Sequence, residues 1–151
     1  MNKMKTATAD YEAMVRESFA KQGMMAHIGA AVAEVRPGFC EIHMAHRPEL
    51  LQQHGLFHGG ATASILDTAG GYAAFSLMEP GDGILTVDFT INLTAPADGE
   101  KLIARGEVVK PGRTLSVTRA EAVVVKDGVE TTCAIMQQTL MRIVGRGDVS
   151  G

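Results

Sequence analysis

Residues 59–78 form the longest apolar stretch of the chain, and they contain no proline and almost no charge. Apolar side chains recur at every fourth position, a period that predicts an α-helix. The row consists of Ala61, Ile65, Ala69, Ala73 and Leu77, with Leu66 beside it. A helix that is apolar nearly all round is buried. At 1.5 Å per residue this one would be about 30 Å long, so we expect it to be the centre of the fold.

Small residues form a second row on the same helix. The row consists of Asp67, Gly70, Gly71 and Ala74. A glycine inside a helix costs about 1 kcal/mol relative to alanine. Close approach of another backbone, or of a ligand, would offset that loss. The alternative is that the glycines merely loosen the helix.

Most of the remaining chain alternates between apolar and polar residues, which is typical of strands with one buried face. In residues 86–94, Val87, Phe89, Ile91 and Leu93 alternate with polar residues, and we expect these four to be buried. Five further strands are predicted at 28–35, 39–46, 102–109, 115–125 and 131–143. The turns between most of them are too short for parallel crossovers, so the sheet should be antiparallel.

These elements predict an α+β domain in which a curved antiparallel sheet of about six strands wraps around the long central helix. Residues 11–19 have helical spacing, capped by Asp10 or Thr8, and Gly23 should end that helix or follow its end. We expect residues 1–27 to pack on the domain as a helical segment, 28–144 to form the domain and 145–151 to be a flexible tail. Sheet edges and one helix face would remain poorly covered, which favours a homo-oligomer, either a dimer or a tetramer.

Composition narrows the class of protein. The chain has 151 residues, 46% hydrophobic and 21% charged, which is typical of one soluble globular domain. The net charge of −3 and the lack of a dense Lys/Arg cluster argue against nucleic-acid binding. No apolar run reaches the roughly 18 residues that a membrane span needs. Cys40 and Cys133 have no metal or redox spacing, so we interpret them as buried thiols of a cytoplasmic protein.

Candidate chemistry begins in the polar loop that leads into the long helix. The loop contains Gln52, Gln53, Gly55 and His58, and Gly59 and Gly60 follow where the helix begins. The first amides of a helix have no internal partner and carry the positive end of its dipole. Because glycine has no side chain, a ligand oxygen can approach these amides closely, which suits a phosphate or a developing oxyanion.

Asp67 is a carboxylate in an apolar helix. Burial raises the pKa of such a group unless it is paired, so it is either a functional carboxylate or one hydrogen-bonded to a neighbouring loop. His58 lies nine residues earlier, which places it on the opposite side of a helix and about 13 Å away along the axis. The two residues are therefore unrelated, or they meet between two subunits. His58 could also simply cap the loop.

Two other kinds of site are disfavoured by the sequence. The histidines at 43, 46, 54 and 58 match no strong metal-ligand spacing. No Gly-x-Ser-x-Gly nucleophile elbow is present. We expect no metal and no cofactor.

Several short motifs resemble those of one family. They are His58-Gly59-Gly60, Asp67 nine residues after the histidine, Gly70-Gly71-Tyr72-Ala73-Ala74, and the segments 86–89, 95–97 and 110–115. In order and spacing this set resembles the hotdog-fold acyl-CoA thioesterases, most closely the branch that acts in phenylacetate degradation. The resemblance covers residues 28–143.

The resemblance implies hydrolysis of an acyl-CoA thioester to a carboxylic acid and free coenzyme A. It implies that Asp67 is the general base or nucleophile, acting across a dimer interface, and that the Gly59 amide is the oxyanion donor with His58 beside it. The same resemblance places Thr86 near the substrate and, more loosely, Arg113 at coenzyme A.

The loop contains one departure from the family pattern. Many relatives have asparagine six residues before the histidine to place the water, where this chain has Gln52. Gln53 could substitute for it. We also expect Gly55 and Gly60 to contact substrate.

Two other functions compete with hydrolysis. A hotdog hydratase or dehydratase is disfavoured because no Asp-x-Asn-x-x-His pattern is present. A non-catalytic acyl-CoA-binding module would bind without turnover. The acyl group, whether aromatic, short-chain or medium-chain, is left open.

Overall fold

The computed structural model describes residues 4–151, so residues 1–3 of the predicted N-terminal segment lie outside the described residues. A six-stranded sheet wraps around one long helix. The helices are α1 (Tyr11–Ala20), α2 (Gly23–Ile28) and α3 (Gly59–Phe75), with short 3-10 helices at Pro48–Leu50 and Gly147–Val149. The strands are β1 (Ala30–Arg36), β2 (Phe39–Ala45), β3 (Gly83–Leu93), β4 (Lys101–Lys110), β5 (Leu115–Lys126) and β6 (Val129–Ile143).

The strand order is β1-β2-β4-β5-β6-β3, and every pair of neighbours is antiparallel. The predicted hotdog arrangement, an α+β fold with the sheet around a central helix, is confirmed. Helix α3 packs against every strand of this sheet. Among the described residues, no helix is both long enough and apolar enough to cross a membrane.

Helix α3 is the centre of the core, as predicted. Ile65 and Ala69 on its predicted apolar row are 0% exposed. The helix begins at Gly59, where we expected it, but ends at Phe75 rather than at residue 78. Residues 76–78 are still largely buried, yet they form a turn, so apolar character continues past the end of the helix.

The small-residue row of α3 has two different explanations. A Cβ on Gly106 of β4 would lie 2.4 Å from the carbonyl carbon of Ala69, so helix and sheet backbones meet closely there. A Cβ on Gly70 would lie 1.7 Å from Oε1 of Gln138. At Gly71 the same atom would meet nothing within 4 Å. Close packing explains the first glycine of the row, and open space adjoins the second.

The N-terminal segment departs from the prediction in one respect. Helix α1 ends at Ala20 and Gly23 follows its end, as predicted, but Gly23 also begins a second helix, α2. Met25 and Ile28 are buried three residues apart, which is a helical spacing, whereas we expected a strand to start at Ile28. Gly29, with φ +72°, ends the helix in the left-handed conformation that favours glycine. Strand β1 therefore begins at Ala30.

The two edges of the sheet differ. Helices α1 and α2 pack on β1, and Arg16 Nη1 donates a hydrogen bond to the carbonyl of Val32 on that edge. The β3 edge is longer and bare in the single chain. Its exposed apolar residues are Leu85, Val87, Phe89 and Leu93, at 50%, 56%, 45% and 60% exposure. Our expectation that the apolar face of β3 is buried is therefore wrong for one copy of the chain, because no other element within residues 4–151 covers this edge.

A β-bulge in β3 changes which residues face α3. Thr86 pairs with the buried Leu140 of β6, and the ladder resumes at Asp88, which leaves Val87 as an extra residue. Because directly paired residues lie on the same face of a sheet, Thr86 faces α3. Beyond the bulge the alternation is reversed, and Phe89 faces α3 as well. The sequence pattern placed these two residues on opposite faces.

The C-terminal residues, which we expected to be a flexible tail, fold back on the domain. A 3-10 turn forms at Gly147–Val149. The amide of Gly151 donates to the carbonyl of Asp82 at 2.9 Å. A Cβ on Gly83 would lie 1.8 Å from the carbonyl oxygen of Val149, so the two backbones pass close to each other. The tail thus contributes to the wall of a cavity described below.

Candidate active site

Asp67 lies half-buried in the middle of α3, and one of its carboxylate oxygens accepts two hydrogen bonds. Thr86 Oγ1 on β3 donates to Oδ1 at 2.7 Å. Gln138 Nε2 on β6 donates to the same oxygen at 2.8 Å. Within the described part of the chain, no protein group hydrogen-bonds Oδ2. The carboxylate is therefore held on one side and open on the other.

A cavity of about 330 Å³ opens beside Asp67. Gly71 and Tyr72 of α3 line it, together with residues of α1, Ile84 of β3 and the C-terminal segment 149–151. The open space at Gly71 belongs to this cavity. The row of small residues therefore leaves room for a ligand next to the carboxylate.

Part of the cavity wall is polar. Tyr72 Oη accepts a hydrogen bond from Gln22 Nε2 at 2.9 Å and lies 3.1 Å from Ser18 Oγ. Burial raises the pKa of the Tyr72 phenol above its usual value, and the hydrogen bonds from Ser18 and Gln22 oppose that effect. The phenol is therefore neutral at neutral pH. Ser18 of α1 and Gln22, the N-cap of α2, thus supply polar groups to the cavity that Asp67 also lines.

The second candidate site lies at the start of α3. His58 is the N-cap, and its Nδ1 accepts a hydrogen bond from the Gly60 amide at 2.8 Å. The capping alternative for His58 is confirmed. The amide of Gly60 is thereby occupied, whereas that of Gly59 has no partner among the described residues. Gly59 is therefore the better-placed donor of the two for an external oxygen.

Gln52 shares a groove with Gly59. The groove also contains Phe57, Leu93 and the loop 95–97. Gln52 Oε1 accepts from the backbone amide of His54, so one end of its side chain stabilises the loop. No described residue bonds its Nε2, which stays available to the groove.

The single chain does not bring these two sites together. The Asp67 cavity and the Gly59 groove have no lining residue in common. Both residues lie on one continuous helix, with the eight-residue rise of about 12 Å that helix geometry requires. The continuous helix on which the predicted separation of His58 and Asp67 depends is therefore present.

Three other predicted residues lie elsewhere. Gln53 and Gly55 are at the exposed tip of the loop and line neither cavity. Arg113 lines a separate cavity of about 310 Å³ with Lys5 and Arg142, beyond the other end of α3. The roles assigned to Gln53, Gly55 and Arg113 stay predictions.

Sequence reasoning missed Gln138. It is 1% exposed and occupies a position of β6 whose even-numbered neighbours, such as Met136 and Leu140, face the core. A polar residue inside such a run was the available signal. An amide in that position needs a polar partner, and Asp67 provides it.

The remaining nucleophilic and metal-binding side chains form no competing site. Burial raises the pKa of the Cys40 thiol to about 12 and also raises that of Cys133, so neither is a thiolate at neutral pH. Both thiols are free and buried, as predicted. No group of three or more His, Cys, Asp or Glu residues in the described chain could hold a metal ion.

Comparison with known proteins agrees with this fold. The model of the thioesterase superfamily matches residues 54–131. This chain therefore belongs to the thioesterase superfamily, and it is a thioester hydrolase. The matched range includes His58, Gly59, Asp67 and Thr86, while Gln52 and Gln138 lie outside it.

Individual relatives support the same conclusion. The crystal structure of a thioesterase family protein from Silicibacter pomeroyi is 48% identical, with a TM-score of 0.88, covering 89% of this chain and 99% of that one. The PaaI protein from the phenylacetic acid degradation operon of E. coli is 23% identical, with a TM-score of 0.80 and coverage of 90% and 95%, and shares the fold. The proofreading thioesterase EntH of Klebsiella pneumoniae is 30% identical over 84 residues, which are 56% of this chain and 60% of that protein.

Proposed function

We propose that this thioesterase hydrolyses acyl-CoA at composite sites, each made from Asp67 of one copy and the Gly59 amide of a second copy. The two copies pair through β3. The observation that carries the proposal is that the two half-sites lie at opposite ends of this one bare edge strand.

Strand β3 connects the half-sites within each copy. At one end, Thr86 is hydrogen-bonded to Asp67. At the other, Gly59 lies so close to Leu93 that a Cβ on the glycine would be 2.9 Å from Leu93 Cδ1. Seven residues of strand separate Thr86 from Leu93, a distance of about 23 Å.

Antiparallel pairing of two β3 strands removes that separation. A two-fold axis between Phe89 and Thr90 would place Thr86 of one copy opposite Leu93 of the other. Gly59 of the second copy would then arrive beside Asp67 of the first, and the symmetry would form a second, identical site. The unpaired backbone and exposed apolar side chains of β3 favour such pairing, because a bare edge strand is a template for another strand.

The reaction follows from what the two halves supply. The carboxylate of Asp67 takes a proton from water as the water adds to the thioester carbonyl, or attacks that carbon itself. The carbonyl oxygen becomes an oxyanion, which the Gly59 amide and the positive end of α3 stabilise. The C–S bond then breaks, and the thiolate of coenzyme A leaves and takes up a proton. If Asp67 attacks the carbon itself, this step leaves the acyl group on Asp67 as a mixed anhydride, which water then hydrolyses. By either route the products are a carboxylic acid and a free thiol.

The proposal that coenzyme A is the thiol rests on the motif resemblance and on the positively charged side chains of one cavity. Arg113 is exposed beside Lys5 in the cavity beyond the far end of α3. Arg142 in the same cavity is already paired with Asp82 at 2.6 Å. Arg113 and Lys5 are therefore the cations available to phosphate groups there.

The test is release of free thiol from a panel of aromatic, short-chain and medium-chain acyl-CoA thioesters by the wild type and by Asp67→Asn. Loss of a general base lowers kcat by about 10²- to 10⁴-fold. Asp98→Asn is the matched control, since Asp98 is exposed, pairs with Lys126 and lies outside both half-sites. Hydrolysis by Asp67→Asn at the wild-type rate would refute the assigned role of Asp67.

A further inference from the structure

We propose that Gln138 is a positioning residue of the active site, which holds Oδ1 of Asp67 so that Oδ2 is the oxygen that reacts. This inference rests on the proposed role of Asp67 and extends it to a residue on a different strand.

Both side-chain hydrogen bonds of Gln138 go to Asp67. Its Nε2 donates to Oδ1 at 2.8 Å and lies 3.3 Å from the backbone carbonyl oxygen of the same residue. The side chain is 1% exposed. Its Oε1 has no protein partner among the described residues. Asp67 is therefore the protein group that orients this buried amide.

The surrounding structure keeps the amide in that place. Gln138 pairs with Thr118 on β5 and Phe89 on β3, and its side chain passes beneath α3 at Gly70. A Cβ on Gly70 would lie 1.7 Å from Oε1 of Gln138 and 2.8 Å from Oγ1 of Thr118. The glycine thus provides the space through which the amide reaches the carboxylate.

Gln138 acts on Asp67 as a hydrogen-bond donor. An ionised carboxylate only accepts hydrogen bonds, so the donating nitrogen stabilises the charged form of Asp67. Thr86 donates to the same oxygen, and two donors on Oδ1 fix the rotation of the carboxylate. Gln138 is buried within each copy, so its part of this support does not depend on how two copies pair through β3.

The first experiment compares Gln138→Met with Thr118→Val in steady-state kinetics. Methionine retains the length of the side chain and removes the donor. Loss of a hydrogen bond to a charged group should lower kcat by about 10- to 100-fold, with little change in KM. Thr118→Val removes a neighbouring hydroxyl that does not contact Asp67, and it should change neither quantity.

Gln138→Glu separates positioning from packing. It retains the shape of the side chain but donates a hydrogen bond only when protonated. Its activity should stay near that of the wild type at low pH and fall as the coupled pair of carboxyls loses its second proton. Equal activity of Gln138→Glu at low and high pH would overturn the proposal.

A double-mutant cycle and an NMR measurement complete the test. In the Asp67→Asn background, Gln138→Met should cause no further loss of kcat if it acts through Asp67. Independently of catalysis, the ¹³C chemical shift of the Asp67 carboxyl should differ between Gln138→Met and the wild type, because the carboxylate loses the hydrogen bond from Nε2. An unchanged carboxyl shift refutes the positioning role even if the enzyme is active. A changed shift in a protein that hydrolyses no acyl-CoA refutes the proposed function and leaves the Gln138 contact established.

Discussion

The two half-sites are built from different parts of the polypeptide. At Asp67 the chemistry belongs to side chains, because a carboxylate is held by Thr86 and Gln138 from two strands. At Gly59 it belongs to the backbone, where a helix amide is presented by a turn that His58 caps. Substitution can remove a side chain directly, but a backbone donor can be removed only by proline or by moving the turn. Different kinds of substitution should therefore inactivate the two half-sites.

The largest effect should come from separating the halves. Phe89→Asp places a charge on the exposed β3 edge, close to the proposed two-fold axis. Burying an unpaired charge at an interface is strongly unfavourable, so we expect a folded monomer with no measurable thiol release. Light scattering coupled to size exclusion gives the mass, and circular dichroism reports folding.

The control for this change is Val129→Asp, since Val129 is 64% exposed on the β5–β6 hairpin. It should retain both the mass and the activity of the wild type. A fully active Phe89→Asp monomer would show that one copy contains a complete site.

The backbone half can be broken by Gly59→Pro. Residue 59 is the first of α3, where proline fits because its amide has no helical partner. His58 has φ −64° and ψ 136°, the extended conformation that a residue before proline prefers. The variant should fold normally and lose about 10²- to 10³-fold in kcat with the oxyanion donor.

Gly59→Ala is the matched variant for this half, because it adds the same Cβ and retains the amide. The Cβ meets only the end of the Leu93 side chain, at 2.9 Å. We expect its kcat to stay within a few-fold of the wild type. If alanine and proline reduce kcat equally, crowding rather than the amide explains the loss.

The two halves can also be recombined. Gly59→Pro and Asp67→Asn should each be inactive as pure proteins, since each breaks both sites of its dimer. After the two are unfolded and refolded together in equal amounts, half of the dimers are mixed, and each mixed dimer has one intact site. The mixture should regain about one quarter of the wild-type activity. If activity does not return, although mass spectrometry finds mixed dimers, the site is not shared between copies.

A smaller effect is expected within the side-chain half. Thr86→Val removes the second donor to Oδ1 of Asp67. Because Gln138 still donates to the same oxygen, we expect a loss of about tenfold in kcat, at the lower end for a bond to a charged group. Thr86→Ser retains the hydroxyl and should retain most of the activity. Equal losses in the two variants would point to packing of the threonine methyl group.

The same contrast shows how far sequence reasoning could reach. The start of α3, its apolar row and the His58–Asp67 separation follow from helix periodicity, and each agrees with the structure. Helix α2 was missed because a six-residue helix is too short for its period to stand out from that of a strand.

The contact between Gln138 and Asp67 could not be predicted, because it joins residues 71 positions apart through the packing of α3 on the sheet. The exposure of β3 was also missed. Alternation shows that one face is apolar, but it does not show whether the chain itself covers that face.

The extra residue at Val87 determines which changes of sequence β3 can tolerate. In a regular strand the side chains alternate between the two faces, so all odd-numbered residues lie on one face along its whole length. The bulge shifts the phase once, and Thr86 before it and Phe89 after it both reach the α3 side. One strand can therefore hydrogen-bond Asp67 through Thr86 and also present Phe89 at the sheet edge. Deleting Val87 would restore regular alternation along the whole strand. Either Thr86 or Phe89 would then point away from α3, although the composition of the chain would hardly change. Insertions and deletions in β3 should thus be far less tolerated than substitutions.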